Sequence, residues 1–246
     1  MKTMRIIMML AMAALTLCSL QSCSVDDDNQ PIEEINARIG GSDDARNVIQ
    51  ALVTTKTTAD GHFYLQESEK RLLNPVNMPT SPFNGKEVRA IVYYTEVVQP
   101  ATNQAGMVDV YVKWIDEINT RSSSDLNGAE KDWEEIFTQL PISTIDIVND
   151  WVNSLTDGYL TLHYHVEGNN LSNIYLLTGR NAHDHYELIL YGSPYVSNSN
   201  VLMPSDGLIA FKLDNLPPTG GEVKIVTLRW FSPTGWKQAQ FYYQTK

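Results

Sequence analysis

The sequence has little cysteine and fewer basic than acidic residues. Only 2 Cys occur among 246 residues, so the chain is not a disulfide-stabilised scaffold. Lys and Arg number 18 against 29 Asp and Glu, which gives a net charge of -11. An acidic excess of this size repels phosphate groups, and it argues against nucleic-acid binding through a basic face. With 14 Gly and 11 Pro, the chain is neither collagen-like nor of low complexity.

The signatures of common catalytic sites are also missing. The sequence holds no Gly-x-Ser-x-Gly elbow, no His-Glu-x-x-His helix motif and no phosphate-binding glycine loop. No run of aspartates approaches the spacing of a calcium-binding loop. We therefore predict that the protein is not an enzyme and that it carries no cofactor.

The first 17 residues have the order of a secretory signal. Lys2 and Arg5 precede an apolar run over residues 6–17. That run is shorter than the roughly 20 residues that a membrane-spanning helix needs. A cleaved signal peptide over residues 1–22 is therefore favoured over a permanent membrane span.

The end of this signal predicts where a lipid is attached. Leu20-Gln21-Ser22-Cys23 resembles a bacterial lipobox, in which cleavage occurs before the cysteine and the cysteine is then lipidated. Cys18 is the weaker candidate because the bulky Leu17 precedes it. Lipidation at Cys23 would anchor the chain to the membrane through two or three acyl chains, palmitate among them. The mature chain would then have no thiol and, with 16 basic and 29 acidic residues, a net charge of -13.

An acidic cluster, Asp26, Asp27 and Asp28, follows Cys23 directly. It resembles the export signal of Bacteroidota lipoproteins, which directs them to the outer leaflet of the outer membrane. The alternative interpretation is a solvated acidic start of a linker. The first interpretation predicts an outer-membrane lipoprotein that is lipid-anchored and exposed at the cell surface.

Changes in composition divide the mature chain into four segments. Residues 23–46 are polar and aperiodic, as in a lipidated tether. Residues 47–120 contain four or five short strand patterns without a helix between them, which indicates a small OB-like β-barrel. Residues 121–142 are predicted to be a linker with one short amphipathic helix. Residues 143–246 hold six or seven further strand patterns and are predicted to form an antiparallel β-sandwich.

Alternation along the strands predicts which side chains are buried. In the barrel segment Val108, Val110, Val112 and Trp114 share one face of a half-buried strand. In the sandwich segment the predicted core comprises Leu160, Leu162, Leu176, Leu188, Leu190, Ile209, Phe211, Ile225, Leu228 and Trp230. Because this core lies entirely within residues 143–246, we expect that fragment to fold alone, without a strand from elsewhere.

An ordered set of short motifs resembles the NigD-like lipoproteins. In the first half these motifs are Gly61 to Leu65, Leu73-Asn74-Pro75 and Asn84 to Arg89; in the second they are Asp150-Trp151, Asp157 to His163, Ile209 to Leu213 and Leu228-Arg229-Trp230. The resemblance implies an N-terminal OB-type domain, a C-terminal β-sandwich and surface-lipoprotein character. It implies no activity and no catalytic residues.

Four histidines are weak candidates for a metal site. His163 and His165 lie on one face of a predicted strand, and His183 and His185 form a second His-x-His pair. Zinc needs three or four converging ligands, which the two pairs could supply only from neighbouring strands. The simpler interpretation, that these histidines are solvated, predicts no metal.

The function expected from the sequence is that of a binding or accessory module at the cell surface, with a protein or a glycan as partner. Carbohydrate capture beside a nutrient uptake system is one alternative, since exposed aromatic rings stack on sugars. Trp236, which follows a Ser-Pro-Thr-Gly turn, is the weak candidate for that contact. Bacteriocin-associated protection or secretion is the other alternative, suggested by the family resemblance.

Overall fold

The computed structural model describes residues 47–97, 107–125, 143–167, 171–179, 184–194 and 204–245. Residues 48–246 form one compact unit. Within the described ranges, no helix has the length and apolar character needed to cross a bilayer. Cys23, Asp26, Asp27, Asp28, His183 and the helix predicted within 121–142 all lie outside the described residues.

Five strands of the first half close into a barrel, in the order β1-β2-β3-β5-β4. Their bounds are β1 Ile49–Thr57, β2 Phe63–Ser68, β3 Arg71–Pro75, β4 Arg89–Glu96 and β5 Met107–Glu117. All neighbours pair antiparallel except β3 and β5, which are parallel. The interior is filled by small and branched side chains together with Phe63 and Tyr94. The predicted OB-like barrel is confirmed.

The second half is a sandwich of two sheets. The strands are β6 Asn119–Ser122, β7 Ser124–Asp125, β8 Asp146–Ile147, β9 Ser154–Thr156, β10 Tyr159–His165, β11 Leu171–Thr178, β12 Glu187–Pro194, β13 Asp206–Lys212, β14 Lys224–Ser232 and β15 Gly235–Tyr243. One sheet has the order β6-β13-β10-β8, with β9 paired to β10, and the other has the order β15-β14-β12-β11-β7. The predicted sandwich is therefore confirmed, although three of its strand pairs are parallel.

The segment expected to begin the linker is part of the sandwich. Strand β6 pairs with β13, and β7 pairs with β11, so each sheet takes its edge strand from residues 119–125. Only Ile118 separates β6 from the last barrel strand, β5. The expectation that residues 143–246 contain every strand of the sandwich is therefore wrong. Ser-rich, polar residues form strands here because the open edges of β13 and β11 offer hydrogen-bonding partners.

Two of the predicted core positions are on the outside. Ile225 is 53% exposed. Val226, Leu228 and Trp230 alternate with it along β14 and point into the sandwich core, so Ile225 lies on the outer face of the strand. Trp114 is 39% exposed, because a β-bulge lets Tyr93 pair with Trp114 and Tyr94 with Val112, so that Lys113 is skipped. A bulge reverses the inward and outward faces beyond it. Trp114 is thereby moved from the barrel interior to the outer wall.

Candidate functional site

A buried arginine joins the barrel to the sandwich. Arg89, the first residue of β4, has no exposed surface. Its guanidinium donates to the hydroxyl of Thr54 in the barrel at 2.9 Å, and to those of Thr161 and Thr156 in the sandwich. It also lies over the ring of Tyr159, 6.0 Å from the centroid. Burial lowers the pKa of Arg89 to about 10, against the opposing attraction of nearby Asp157.

The turn between β9 and β10 makes a second contact with the barrel. Asp157 and Gly158 both have positive φ, 52° and 76°, as the two central residues of a type I′ hairpin require. The Asp157 carboxylate accepts hydrogen bonds from Lys56 at 3.0 Å and from Gln66 at 2.7 Å. The hairpin is therefore held against strands β1 and β2.

A cleft of about 380 Å³ opens beside this junction, which we call the junction cleft. Its size is within the usual range for ligand sites. The lining residues come from β4, from the end of β5 with the start of β6, from β10, and from β13 with the residue two before it: Ile91, Tyr93, Asp116, Glu117, Ile118, Asn119, Tyr164, Pro204, Gly207 and Leu208. None of these lining residues is Lys, Arg or His, whereas two are carboxylates.

The base of the cleft is apolar and well packed. Ile91 and Ile118 belong to a hydrophobic cluster that also contains Leu52 of the barrel and Ala210 of the sandwich, and Leu208 packs against this cluster. This cluster is separate from the cores of the barrel and the sandwich. The cleft therefore has a firm floor made by both domains.

Aromatic and polar groups on the barrel wall are fixed beside the cleft. Tyr93 and Trp114 are cross-strand partners on β4 and β5. The amide of Gln50 donates to the Tyr93 hydroxyl at 2.8 Å, and the Trp114 indole N–H donates to Asp116 at 2.5 Å. The bulge that moves Trp114 outward therefore also positions a carboxylate of the cleft.

His163 and His165 lie together on the solvent side of β10, as the alternation predicted. His163 contacts carboxylates through both ring nitrogens, with Nδ1 2.7 Å from Asp150 and Nε2 3.0 Å from Asp206. His165 Nδ1 is 3.3 Å from the other oxygen of Asp206. Two carboxylate contacts require an imidazolium that donates from both nitrogens, and such a ring has no lone pair for a metal.

His185 lies in a different sheet from His163 and His165. It stands at the turn before β12, whereas those two histidines are on β10. Over the described ranges, no group of three or more His, Cys, Asp or Glu side chains is placed to hold a metal ion. His163 instead belongs to a cluster of hydrogen bonds with carboxylates.

The His163 cluster has a predictable pH dependence. Burial opposes protonation of His163, but its hydrogen bonds to Asp206 and Asp150 outweigh that effect and raise its pKa. The same contact lowers the pKa of Asp206. The stabilisation that His163 contributes is complete below its unfolded pKa of about 6.5, and it is lost as the pH rises through the raised pKa of the folded state. The stabilisation that Asp206 contributes is lost as the pH falls through the lowered pKa of its carboxyl group. The cluster is thus strongest between these two pKa values.

An NMR titration of the His163 ring tests this arrangement. We expect its pKa to lie above 6.5, and we expect Asp206→Asn to bring it down because a charged acceptor is replaced by a neutral one. Glu167→Gln, which removes an exposed carboxylate near the end of the same strand, is the control and should change it little. A His163 pKa below 6.5 in the unaltered protein would contradict the assignment.

Trp236 is 50% exposed and lies against Phe231, with ring centroids 5.4 Å apart. Trp230 is buried, as predicted. Trp236 does not line the junction cleft, so the ligand contact suggested by the sequence lies outside the cleft.

The sequence did contain one signal for the cleft: Trp114 and Ile115 are adjacent apolar residues in an alternating strand, which suggests a bulge.

Comparison with known protein families agrees with this architecture. The NigD-like N-terminal OB domain matches residues 52–118, and the NigD-like C-terminal beta sandwich domain matches residues 132–243. The chain belongs to the NigD-like family. Several motifs of the NigD-like resemblance meet at the junction, because Arg89 ends one of them, and Asp157, Tyr159 and Thr161 lie in another.

Solved structures share the fold of this NigD-like chain at low identity. A protein from Parabacteroides distasonis ATCC 8503 whose description relates it to a toxin is 20% identical, with a TM-score of 0.58 over 80% of this chain and 93% of its own. A protein of unknown function from Bacteroides vulgatus ATCC 8482 is 16% identical, with a TM-score of 0.57 over 81% and 92%. A NigD-like immunity protein from Bacteroides caccae ATCC 43185 is 15% identical, with a TM-score of 0.51 over 80% and 98%. Among curated proteins, none matches this chain.

Proposed function

We propose that this protein is a lipid-anchored lipoprotein of the outer membrane, exposed at the cell surface, where it acts as a non-enzymatic binding module. The observation that carries the binding role is the junction cleft, whose walls come from both β domains and whose floor is closely packed. The lipobox at Cys23 and the acidic cluster behind it support the location. The tether over residues 23–46 would hold the compact unit away from the membrane.

Lipidation at Cys23 predicts the effect of removing that thiol. Cys23→Ala should abolish incorporation of a labelled fatty acid and release the protein from the membrane fraction, because no acyl chain can then be attached. Cys18→Ala is the matched control, since Cys18 lies within the predicted signal. Labelling that persists in Cys23→Ala would refute this assignment.

Surface display predicts a separate effect of the acidic cluster. Replacing Asp26, Asp27 and Asp28 together by alanine should leave the protein acylated but protected from protease added to whole cells. Replacing Glu33, Asp43 and Asp44 by alanine removes the same charge at positions farther from Cys23. This control variant should remain susceptible to the added protease. Equal digestion of the parent and the Asp26–Asp28 variant would mean that the cluster is only a linker.

Protection against a toxin is a second candidate function. It is supported by the description of one structural neighbour as an immunity protein, 98% of which is covered by the alignment. A deletion strain would then become sensitive to a bacteriocin made by its own parent strain, and the intact gene would restore resistance. Carbohydrate capture remains the alternative for which Trp236 was the candidate contact, and unchanged growth of the deletion strain on each tested glycan would oppose it.

A further inference from the structure

Strand β15 stands at the end of its sheet and has one open edge. It is nine residues long, and within the described residues it pairs only with β14. Natural proteins commonly blunt such edges with proline or with charged side chains. β15 contains no proline, and its one charged side chain, Lys237, donates to Asp146 of β8 at 2.8 Å. The composition of this edge therefore suits pairing with another strand.

The backbone of β15 turns hydrogen-bonding groups toward the open edge at alternate residues. On β14 the amide of Thr227 donates to the carbonyl of Tyr186 at 3.0 Å, on the side away from β15. Opposite residues of an antiparallel pair either exchange both hydrogen bonds or turn both groups away. Gln240, the partner of Thr227 on β15, therefore turns its amide and carbonyl toward the open edge. By alternation the same holds for Trp236, Gln238 and Tyr242.

The side chains of these same residues lie on the outer face of the sheet. The residues between them, Ala239 and Phe241, pack against the sandwich core. The four exposed side chains run aromatic, amide, amide, aromatic along the strand: Trp236, Gln238, Gln240 and Tyr242. This order is the same in both chain directions. A strand of this kind is complementary to an antiparallel copy of itself.

We propose that β15 pairs antiparallel with β15 of a second copy of this chain. The two-fold axis passes beside Ala239, the middle residue of the strand. Gln238 then lies opposite Gln240 of the second copy, and both turn their backbone groups toward each other. Antiparallel pairing needs this match of outward groups along the whole edge.

The same register matches the remaining side chains. Trp236, 50% exposed, lies opposite Tyr242 of the second copy, 78% exposed, and aromatic cross-strand pairs stabilise a sheet. Lys237 falls opposite Phe241 of the second copy, so the two like charges do not meet. A strand from an unrelated protein would not need this symmetric order, which favours a second copy as the partner. The pairing joins two five-stranded sheets into one continuous sheet.

Disulfide cross-linking of the purified full chain in excess detergent tests this register. Ala239→Cys places two thiols directly opposite each other at the axis, where Cα atoms of such a pair are about 4.5 Å apart. Gln240→Cys is the control, since its counterpart in the second copy would be roughly 9 Å away, too far for a disulfide. Gln240 is the more exposed of the two positions, so chance collisions would favour the control. We expect Ala239→Cys to cross-link about tenfold faster under mild oxidation, above the background of the parent chain.

Charge substitutions at the central pairs give a second test. Gln238→Lys together with Gln240→Lys puts ammonium groups opposite each other, which should weaken the dimer about tenfold although it reduces the net negative charge. Gln238→Glu together with Gln240→Lys puts opposite charges at the same positions and should preserve the dimer. Sedimentation velocity in density-matched detergent measures the fraction of dimer in each variant.

Three results would overturn the proposal. They are cross-linking of Gln240→Cys as fast as that of Ala239→Cys, equal dimer fractions in the two charge variants, or a parent chain that stays monomeric as its concentration is raised. The last result would leave the edge of β15 to a strand from a different protein. Neither measurement involves the junction cleft or the cell surface, so failure here and failure of the proposed function are distinguishable.

Discussion

Replacing Arg89 by alanine should lower the free energy of unfolding of the whole chain by about 3 to 5 kcal/mol, which is a large fraction of the total free energy of unfolding of a typical domain. The substitution removes a long side chain that is fully buried and leaves a cavity at the junction. It also removes the donor to three threonine hydroxyls, one in the barrel and two in the sandwich. Buried hydroxyls that lose their partner add a desolvation cost.

Denaturant titration followed by tryptophan fluorescence and by circular dichroism measures this effect. Arg89→Lys should recover only part of the loss, because an ammonium group cannot reproduce the planar arrangement of N–H donors in a guanidinium. Arg229→Ala is the control: its side chain is partly exposed in an ion pair with Glu187, and we expect a change below about 1 kcal/mol. A loss for Arg89→Ala as small as that of the control would contradict the structural role assigned to Arg89.

Cutting the chain at residue 143 should prevent cooperative folding of the sandwich. The fragment 143–246 lacks β6 and β7, so β13 and β11 become open edges of the two sheets. The fragment also loses Arg121, which reaches from β6 to the carbonyl of Ile174 on the opposite sheet at 3.0 Å. Unpaired edges and a missing bridge between the sheets favour aggregation over folding.

A longer fragment provides the comparison. The fragment 119–246 restores both strands, and we expect it to show one thermal transition at a temperature below that of the full chain, since the Arg89 and Asp157 contacts are still missing. The fragment 143–246 should show no such transition by differential scanning calorimetry. Equal transitions for the two fragments would mean that β6 and β7 contribute nothing to the sandwich.

Strand positions in the sandwich were predictable because alternation is a local property. Alternation of apolar and polar residues predicts strands over 159–166, 208–213 and 236–243, and these differ from β10, β13 and β15 by one or two residues at their ends. Alternation also shows that Ile225 should not have been assigned to the core, since Val226, Leu228 and Trp230 cannot share a strand face with it.

Strands β6 and β7 were not predictable in this way. Their sequence, Asn119 to Asp125, is polar and serine-rich, so composition alone indicates a linker. They are strands only because β13 and β11 lie beside them, and contacts of that kind override local preference. The buried state of Arg89 has the same origin: a lone arginine at the start of a strand gives no sign that three threonines from distant segments will surround it.

The junction cleft combines both difficulties. Its walls come from β4, β5, β10 and β13, which are separated by many residues in the sequence. Alternation puts Tyr164 on the same strand face as Leu160 and Leu162, and it lies with them in the sandwich core, but alternation cannot show that Tyr164 also lines a cleft. The outward position of Trp114 depends on a single skipped residue, Lys113, which changes the register of the rest of β5.

The single residue between β5 and β6 has a kinetic consequence. Ile118 is itself buried, and its amide donates to the carbonyl of Arg89, so the crossing from barrel to sandwich has no slack for a hinge. Free and occupied forms should then superimpose closely, without the slow closing step seen when domains clamp a ligand. Association should be as fast as diffusion and docking geometry allow, and related partners should differ mainly in how long they stay bound.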